Sequence, residues 1–230
     1  MAILAMFSTG ETPVPRMLNA TLFRHRDGSA AMNSKNDVPR RGVTGTKKQV
    51  CAPLALDRVE SLIRAEKWGT ARKVIRTELK KDPDNHWLLT RLGLTYYEER
   101  KYKMALRYES QAREITPCCP LVLWDNAGSL QMLGRHEEAL ELYSHLVSQG
   151  VNRIARGRCG EGLARARGLV ADCYLRMSDS LKALGRRGDS FKLFEKHLDM
   201  RGPGCHSIYP LSSLDRRRSK YKKSSNHGSS

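Results

Sequence analysis

An alanine recurs every 34 residues through the middle of this chain, as Ala71, Ala105 and Ala139. Neighbouring positions keep the same interval, namely Trp68, Tyr102 and His136 upstream and Pro83 and Pro117 downstream. A fixed period of about 34 residues indicates a stacked array of helical hairpins, in which each hairpin buries its apolar face only against its neighbours. The period therefore favours a binding scaffold over an enzyme.

Apolar residues at helical spacing divide the middle of the chain into hairpins. The second hairpin is the clearest, with predicted helices over 86–98 and 102–115 joined by a turn at 99–101. Proline ends the units because its ring cannot continue a helix. The predicted domain is 51–204, with units at about 52–85, 86–119, 120–153 and 171–204 and an insert at 154–170.

Small and aromatic residues at fixed positions relate the second and third units to a known family. The second unit carries Leu89, Leu92, Gly93, Tyr96, Tyr102, Ala105, Ala112 and Pro117, and the third carries Leu123, Ala127, Leu130, Gly134, Ala139, Leu140 and Tyr143. This pattern resembles the tetratricopeptide repeat (TPR) family, although Ala127 stands where the family prefers glycine. The resemblance implies an all-α fold, an α-solenoid of about four TPR-like helix-turn-helix repeats.

The fourth unit departs from the others in the length of its first helix. Apolar residues step by three and four without a break, at Leu163, Ala166, Val170, Cys173, Met177, Leu181 and Leu184. This spacing predicts one continuous helix over 163–184, about 33 Å long at 1.5 Å per residue. We expect this elongated first helix to project beyond the array. The preceding GRCGEG segment is predicted to be a loop.

In the TPR family the first helices line a concave groove that binds peptides. The resemblance implies a partner-binding groove lined here by Asp57, Glu60, Arg64, Arg91, Tyr97, Glu98, Trp124, Asp125, Gln131, Arg176 and Asp179. Tyr97 and Trp124 are the expected anchors, because aromatic residues dominate binding hot spots. The alternative for Trp124 is packing between units. Positions where some family members clamp a carboxylate carry mainly Leu and acidic residues here, so a mixed-charge partner fits better.

Net charge is +17, and most of it lies outside the repeats. Residues 1–50, predicted to be a disordered basic segment, contribute +5, and residues 201–230 contribute +6. The C-terminal basic run consists of Arg216, Arg217, Arg218, Lys220, Lys222 and Lys223. These side chains either contact nucleic-acid phosphates, which would make binding salt-dependent, or solubilise a disordered tail. The alternative function is therefore a nucleic-acid-associated adaptor that uses its basic tails for nonspecific phosphate binding.

Residues 205–230 are predicted to begin with a segment that caps the array. Ile208, Tyr209, Leu211 and Leu214 are the apolar residues expected to fold over the last helix, since a terminal repeat otherwise exposes one apolar face. The first unit presents the opposite edge, which allows self-association as a further hypothesis.

Several function classes are disfavoured by what the chain does not contain. No stretch approaches the ~20 apolar residues that span a bilayer, and MAILAMF at the start is too short for a signal peptide. The six cysteines show no framework of a secreted domain, so we expect reduced thiols in a cytoplasmic protein. Neither phosphate-loop nor hydrolase motifs occur, and adjacent Cys118 and Cys119 lack the spacing of zinc ligands. We therefore predict no catalysis, no cofactor and no metal site.

Overall fold

The computed structural model describes residues 53–160 and 162–212, together with Leu214 and Arg218. Within these ranges the chain forms nine helices and no strands: α1 (Pro53–Arg64), α2 (Trp68–Leu79), α3 (His86–Glu98), α4 (Tyr102–Ile115), α5 (Pro120–Met132), α6 (His136–Ser148), α7 (Val151–Arg156), α8 (Leu163–Ala183) and α9 (Arg187–Met200). The predicted disordered segment 1–50 lies outside the described residues. No helix in the described part of the chain is both long enough and apolar enough to cross a bilayer.

Small residues set the distance between the two helices of each hairpin. Ala71, Ala105 and Ala139 are fully buried, and Ser190 occupies the corresponding position in the last hairpin. There the hydroxyl of Ser190 donates to the backbone carbonyl of Ser178 (2.8 Å), so a pair of serines replaces the alanine contact at the crossing of α8 and α9. The 34-residue alanine period is therefore the period of the helix crossings.

The turn within each hairpin needs one residue in the left-handed backbone region. Glu66, Arg100, Gly134 and Gly185 occupy this position, with φ angles of 54°, 60°, 76° and 78°. Glycine adopts this conformation without steric cost, whereas Glu66 and Arg100 adopt it at a cost in steric strain. The repeated geometry places the second helix of each hairpin antiparallel to the first.

Successive hairpins stack so that α2 packs on α3, α4 on α5 and α6 on α8. Helix α5 lies at the centre of the stack, where residues 120–131 are buried on every side. Its buried side chains are mostly apolar, but they also include Asp125 and Gln131. The described residues thus form an all-α solenoid of four helical hairpins, the last with an elongated first helix, which confirms the predicted fold class.

The elongated helix α8 does not project free of the array. Helix α7, which the sequence did not predict, packs against it, and Ala166, Leu169 and Val170 in its first turns are buried. The backbone N–H of His206 also donates to the carbonyl of Ala164 (3.0 Å). The expected projection is wrong because the apolar residues of these first turns are covered by α7 and by the segment after α9.

Residues 205–209 return across α8 and are attached to it by a buried carboxylate. Asp172 accepts hydrogen bonds from the backbone N–H of Ile208 (2.9 Å) and from the hydroxyl of Ser207. Tyr209 is buried in a small cluster that also contains Leu175, Phe194 and Leu214. By contrast, Leu211 is 55% exposed. Tyr209 and Leu214 therefore cover part of the last hairpin's apolar face.

We predict that Gly168→Ala lowers the free energy of unfolding by about 1–3 kcal/mol. A Cβ atom on Gly168 would lie 1.8 Å from the carbonyl oxygen of His206, so the returning segment must shift. Urea denaturation of the full chain measures the change.

The matched control is Gly188→Ala in α9, where a Cβ atom meets nothing within 4 Å. This change should leave stability unaltered or raise it by up to about 1 kcal/mol, because alanine favours helix more than glycine does. Equal stability of the two variants would contradict the close contact between α8 and the returning segment.

Candidate functional site

The eleven residues expected to line a groove come from the first helices of the four hairpins, α1, α3, α5 and α8. They divide by exposure into two groups. Asp57 and Arg64 are exposed, and Glu60, Glu98 and Asp179 are half-buried. The other six are buried, and we call them the buried set: Arg91, Tyr97, Trp124, Asp125, Gln131 and Arg176.

Arg91 joins the first hairpin to the second. Its Nε donates to Oε1 of Glu60 on α1 at 2.7 Å, and its side chain is fully buried. The guanidinium also lies over the ring of Trp87, with Cζ 5.1 Å from the ring centroid. A buried charge is costly unless it is paired, so the contact with Glu60 offsets part of the cost of burying the Arg91 cation between α1 and α3.

Arg176 joins the fourth hairpin to the second and third. Its Nη2 donates to the hydroxyl of Tyr97 on α3 at 3.3 Å. Its Cζ lies 5.8 Å from the ring centroid of Trp124 on α5. Gln131 strengthens the same contact, since its Nε2 donates to the carbonyl of Arg176 and to the hydroxyl of Ser180, both at 2.9 Å.

Asp125 lies between these cations within the buried set. Burial raises its pKa from 3.8 to about 7, and the charges of Arg91 and Arg176 lower it only in part. Glu109 on α4, which the sequence did not indicate as a site residue, is also fully buried. Burial raises the pKa of Glu109, and repulsion from Asp125 raises it further. The surroundings of Asp125 and Glu109 therefore disfavour ionisation of both carboxyl groups at the same time.

The two expected anchors are interior side chains. Trp124 is 5% exposed and packs edge-to-face on Tyr143 of α6, with ring centroids 5.6 Å apart. Tyr97 is 6% exposed and meets Tyr102 edge-to-face at 5.2 Å. Trp124 therefore packs inside the array, between Tyr143 of its own hairpin and the guanidinium of Arg176 from the fourth hairpin, which is the alternative weighed for it.

On α5 and α8, three atoms of the buried set have no hydrogen-bond partner among the described residues. They are Oδ2 of Asp125, Oε1 of Gln131 and Nε of Arg176. Buried polar atoms are normally paired, either within the protein or with ordered water. These three atoms lie on helices α5 and α8, so the contact between the third and fourth hairpins still has atoms that can form hydrogen bonds.

The exposed members of the expected groove flank the contact between Glu60 and Arg91. Asp57, Glu60 and Arg64 follow each other by three and four residues along α1, a spacing that places them on one helix face. Exposed charges of both signs therefore lie beside a fixed, buried ion pair. This stripe of α1 contains the most exposed side chains of the candidate surface.

The basic run of the C-terminal tail is described at only one position. Arg218 is exposed. Arg216, Arg217, Lys220, Lys222 and Lys223 lie outside the described residues. Phosphate binding by these six side chains stays a prediction.

One group within the described ranges has the ligand types and spacing of a metal site, although the sequence predicted none. His86, Cys119 and Cys159 bring three ligand atoms within 4.8 Å of one another. They belong to three separate segments of the chain, so no local ligand spacing marks them in the sequence.

Comparison with solved structures relates the chain to other helical-repeat proteins. The structure of MamA AMB-1 matches with a TM-score of 0.50 and 21% identity, covering 64% of this chain and 77% of that one. The MamA RS-1 ArsTM double mutant matches with a TM-score of 0.52 and 12% identity, covering 69% and 78%. No protein-family model and no curated protein matches the chain. At these identities the likeness concerns the fold alone.

We predict that the free energy of unfolding falls as the pH rises from about 5 to about 8, and that Asp125→Asn weakens this dependence. The pKa of Asp125 is about 7 in the folded chain and 3.8 ordinarily, so the folded state binds the additional proton between these values. Its stabilising effect is complete below 3.8 and is lost as the pH passes about 7. The slope from one such group is at most about 1.4 kcal/mol per pH unit.

Urea denaturation across this pH range measures the slope, and Asp57→Asn is the control because Asp57 is exposed. Part of the slope should persist in Asp125→Asn, since burial also raises the pKa of Asp172 to about 7. Identical slopes in wild type and Asp125→Asn would contradict a protonated Asp125.

We predict that Trp124→Ala lowers the free energy of unfolding by about 3–5 kcal/mol, as expected for a large buried ring. Trp124→Phe keeps an aromatic ring against Tyr143 and should lose less. Chemical denaturation gives both values. A stable Trp124→Ala variant that loses only partner binding would instead support the anchor role.

Proposed function

We propose that this chain is a non-catalytic protein-interaction scaffold of the tetratricopeptide type, which binds a partner peptide or protein along its first helices. The observation that supports the proposal is that the four first helices contact one another and together form one surface. Buried side chains from α1, α3, α5 and α8 fix their relative positions, and exposed charges of both signs lie beside them on α1.

Rigidity of this kind favours binding. A surface that is already ordered loses little conformational entropy when a partner docks. The contacts of Arg91 with Glu60 and of Arg176 with Tyr97 hold three hairpins in register. The stripe of Asp57, Glu60 and Arg64 then suits a partner segment that carries charges of both signs.

The buried set has a supporting task in this proposal. Because Tyr97 and Trp124 are interior, a partner does not insert against them as the resemblance implied. We infer that it contacts the exposed stripe of α1, while the buried set maintains the shape of the surface. Electrostatic contacts at such a stripe determine partner choice and orientation more than total affinity.

The test is a charge exchange that keeps net charge constant, Asp57→Arg with Arg64→Asp, in the full chain. The partner is captured from native lysate after in-cell crosslinking, with nuclease, and its affinity for the purified variants is then measured. We expect roughly a tenfold loss, which corresponds to about 1.4 kcal/mol.

The matched control exchanges two exposed charges on the second helix α4, Arg107→Glu with Glu114→Arg. It should keep wild-type affinity. Equal affinity of both exchanged variants would remove the α1 stripe from the interface. Loss of the partner on nuclease treatment would instead favour the nucleic-acid-associated adaptor.

A further inference from the structure

Three side chains that bind soft metal ions meet where the second and third hairpins adjoin the insert. We call His86, Cys119 and Cys159 the His–Cys–Cys cluster. Nε2 of His86 lies 3.5 Å from Sγ of Cys159, and all three ligand atoms lie within 4.8 Å of one another. Along the chain the three residues are separated by 33 and 40 positions.

The distance between Cys159 Sγ and His86 Nε2 matches the one that tetrahedral zinc requires. With a Zn–S bond of about 2.3 Å and a Zn–N bond of about 2.05 Å, the tetrahedral angle separates sulfur from nitrogen by about 3.6 Å. Two sulfur ligands are then about 3.8 Å apart. The observed 3.5 Å between Cys159 and His86 is close to the first value. The other two pairs of ligand atoms lie within 4.8 Å, so side-chain movements of about 1 Å bring them to the separations of a zinc site.

Two of the ligands stand at the starts of well-anchored helices. His86 is the first residue of α3, directly after Asn85, whose side chain accepts from the N–H of Leu88 at 3.1 Å. Cys119 is the N-cap residue of α5 and precedes Pro120. Ligands on rigid elements hold coordination geometry better than ligands on loops.

The third ligand is presented by a tight turn between α7 and α8. A Cβ atom at Gly160 would lie 2.4 Å from the carbonyl oxygen of Ala155, and one at Gly157 would lie 2.9 Å from that of Arg153. The N–H of Gly160 donates to the carbonyl of Gly157 at 2.8 Å. Glycine at both positions therefore lets the turn close and bring Cys159 to the cluster.

The burial of the cluster leaves one side open. Cys119 is 3% exposed, whereas His86 and Cys159 are half-buried. An ion can thus enter from solvent on the side of His86 and Cys159. Three protein ligands with solvent access are typical of zinc sites that keep one position for water.

We propose that the His–Cys–Cys cluster binds one Zn²⁺ ion through Nε2 of His86 and the sulfur atoms of Cys119 and Cys159, with water as the fourth ligand. Each thiol releases its proton to solvent as its Zn–S bond forms. Thiolate and imidazole together favour zinc over magnesium or calcium, which prefer oxygen ligands. The ion ties α3, α5 and the turn after α7 to one point.

The experiment uses the full chain, purified under reducing conditions. Elemental analysis should find one zinc per chain, and competition with a chromogenic chelator gives the affinity. Replacement by Co²⁺ should produce thiolate-to-cobalt charge transfer and the intense visible bands of tetrahedral cobalt. Cys159→Ser and His86→Gln should each lose more than the roughly 10- to 100-fold in affinity that an outer-sphere partner contributes.

The matched control is Cys118→Ser, which changes the exposed cysteine next to Cys119 and should keep wild-type affinity. Circular dichroism checks that each variant is folded, and His86→Gln serves if a cysteine variant is not. A chain that takes up neither Zn²⁺ nor Co²⁺ overturns the proposal, as does unchanged affinity in Cys159→Ser and His86→Gln. A disulfide between Cys119 and Cys159 in protein taken directly from cells would also overturn it.

Discussion

The close crossing of the two helices within each hairpin is the contact on which the remaining architecture depends. Ala105 and Gly93 leave room for α3 and α4 to approach; a Cβ atom at Gly93 would lie 2.7 Å from Glu109 Cγ. In the last hairpin Ser178 and Ser190 take the same places and add reciprocal hydrogen bonds between the helices. Tightly packed interiors tolerate little change in volume, so repeated small residues fix the thickness of every unit.

Uniform hairpins bring their first helices together, and buried polar contacts then fix how the units are arranged. Arg91 pairs with Glu60 across the first two hairpins, and Arg176 reaches Tyr97 from the fourth. Such groups add little net stability, because desolvation offsets their attraction. Losing one partner is nevertheless destabilising, since the other group then stays buried in a low-dielectric interior without that partner. The buried set thus confers a defined arrangement of hairpins, which is what a binding surface requires.

The same stacking explains how the three side chains of the His–Cys–Cys cluster meet. Because α3 and α5 start one repeat of 34 residues apart and pack on each other, His86 and Cys119 lie at neighbouring helix starts. The insert supplies Cys159 through a glycine-dependent turn. The insert, for which the sequence predicted only a loop and the first turns of α8, therefore contributes a side chain to a cluster that no single repeat contains.

The sequence by itself determined the hairpins, their period and the length of α8, since helix period and small crossing residues are local properties of the chain. It also indicated which helices supply the candidate surface. Only the tertiary structure decided that Trp124 and Tyr97 are interior, that α7 and residues 205–209 cover α8, and that His86, Cys119 and Cys159 converge. The physical reason is that exposure and ligand convergence depend on contacts between residues far apart in sequence, on which helical periodicity carries no information.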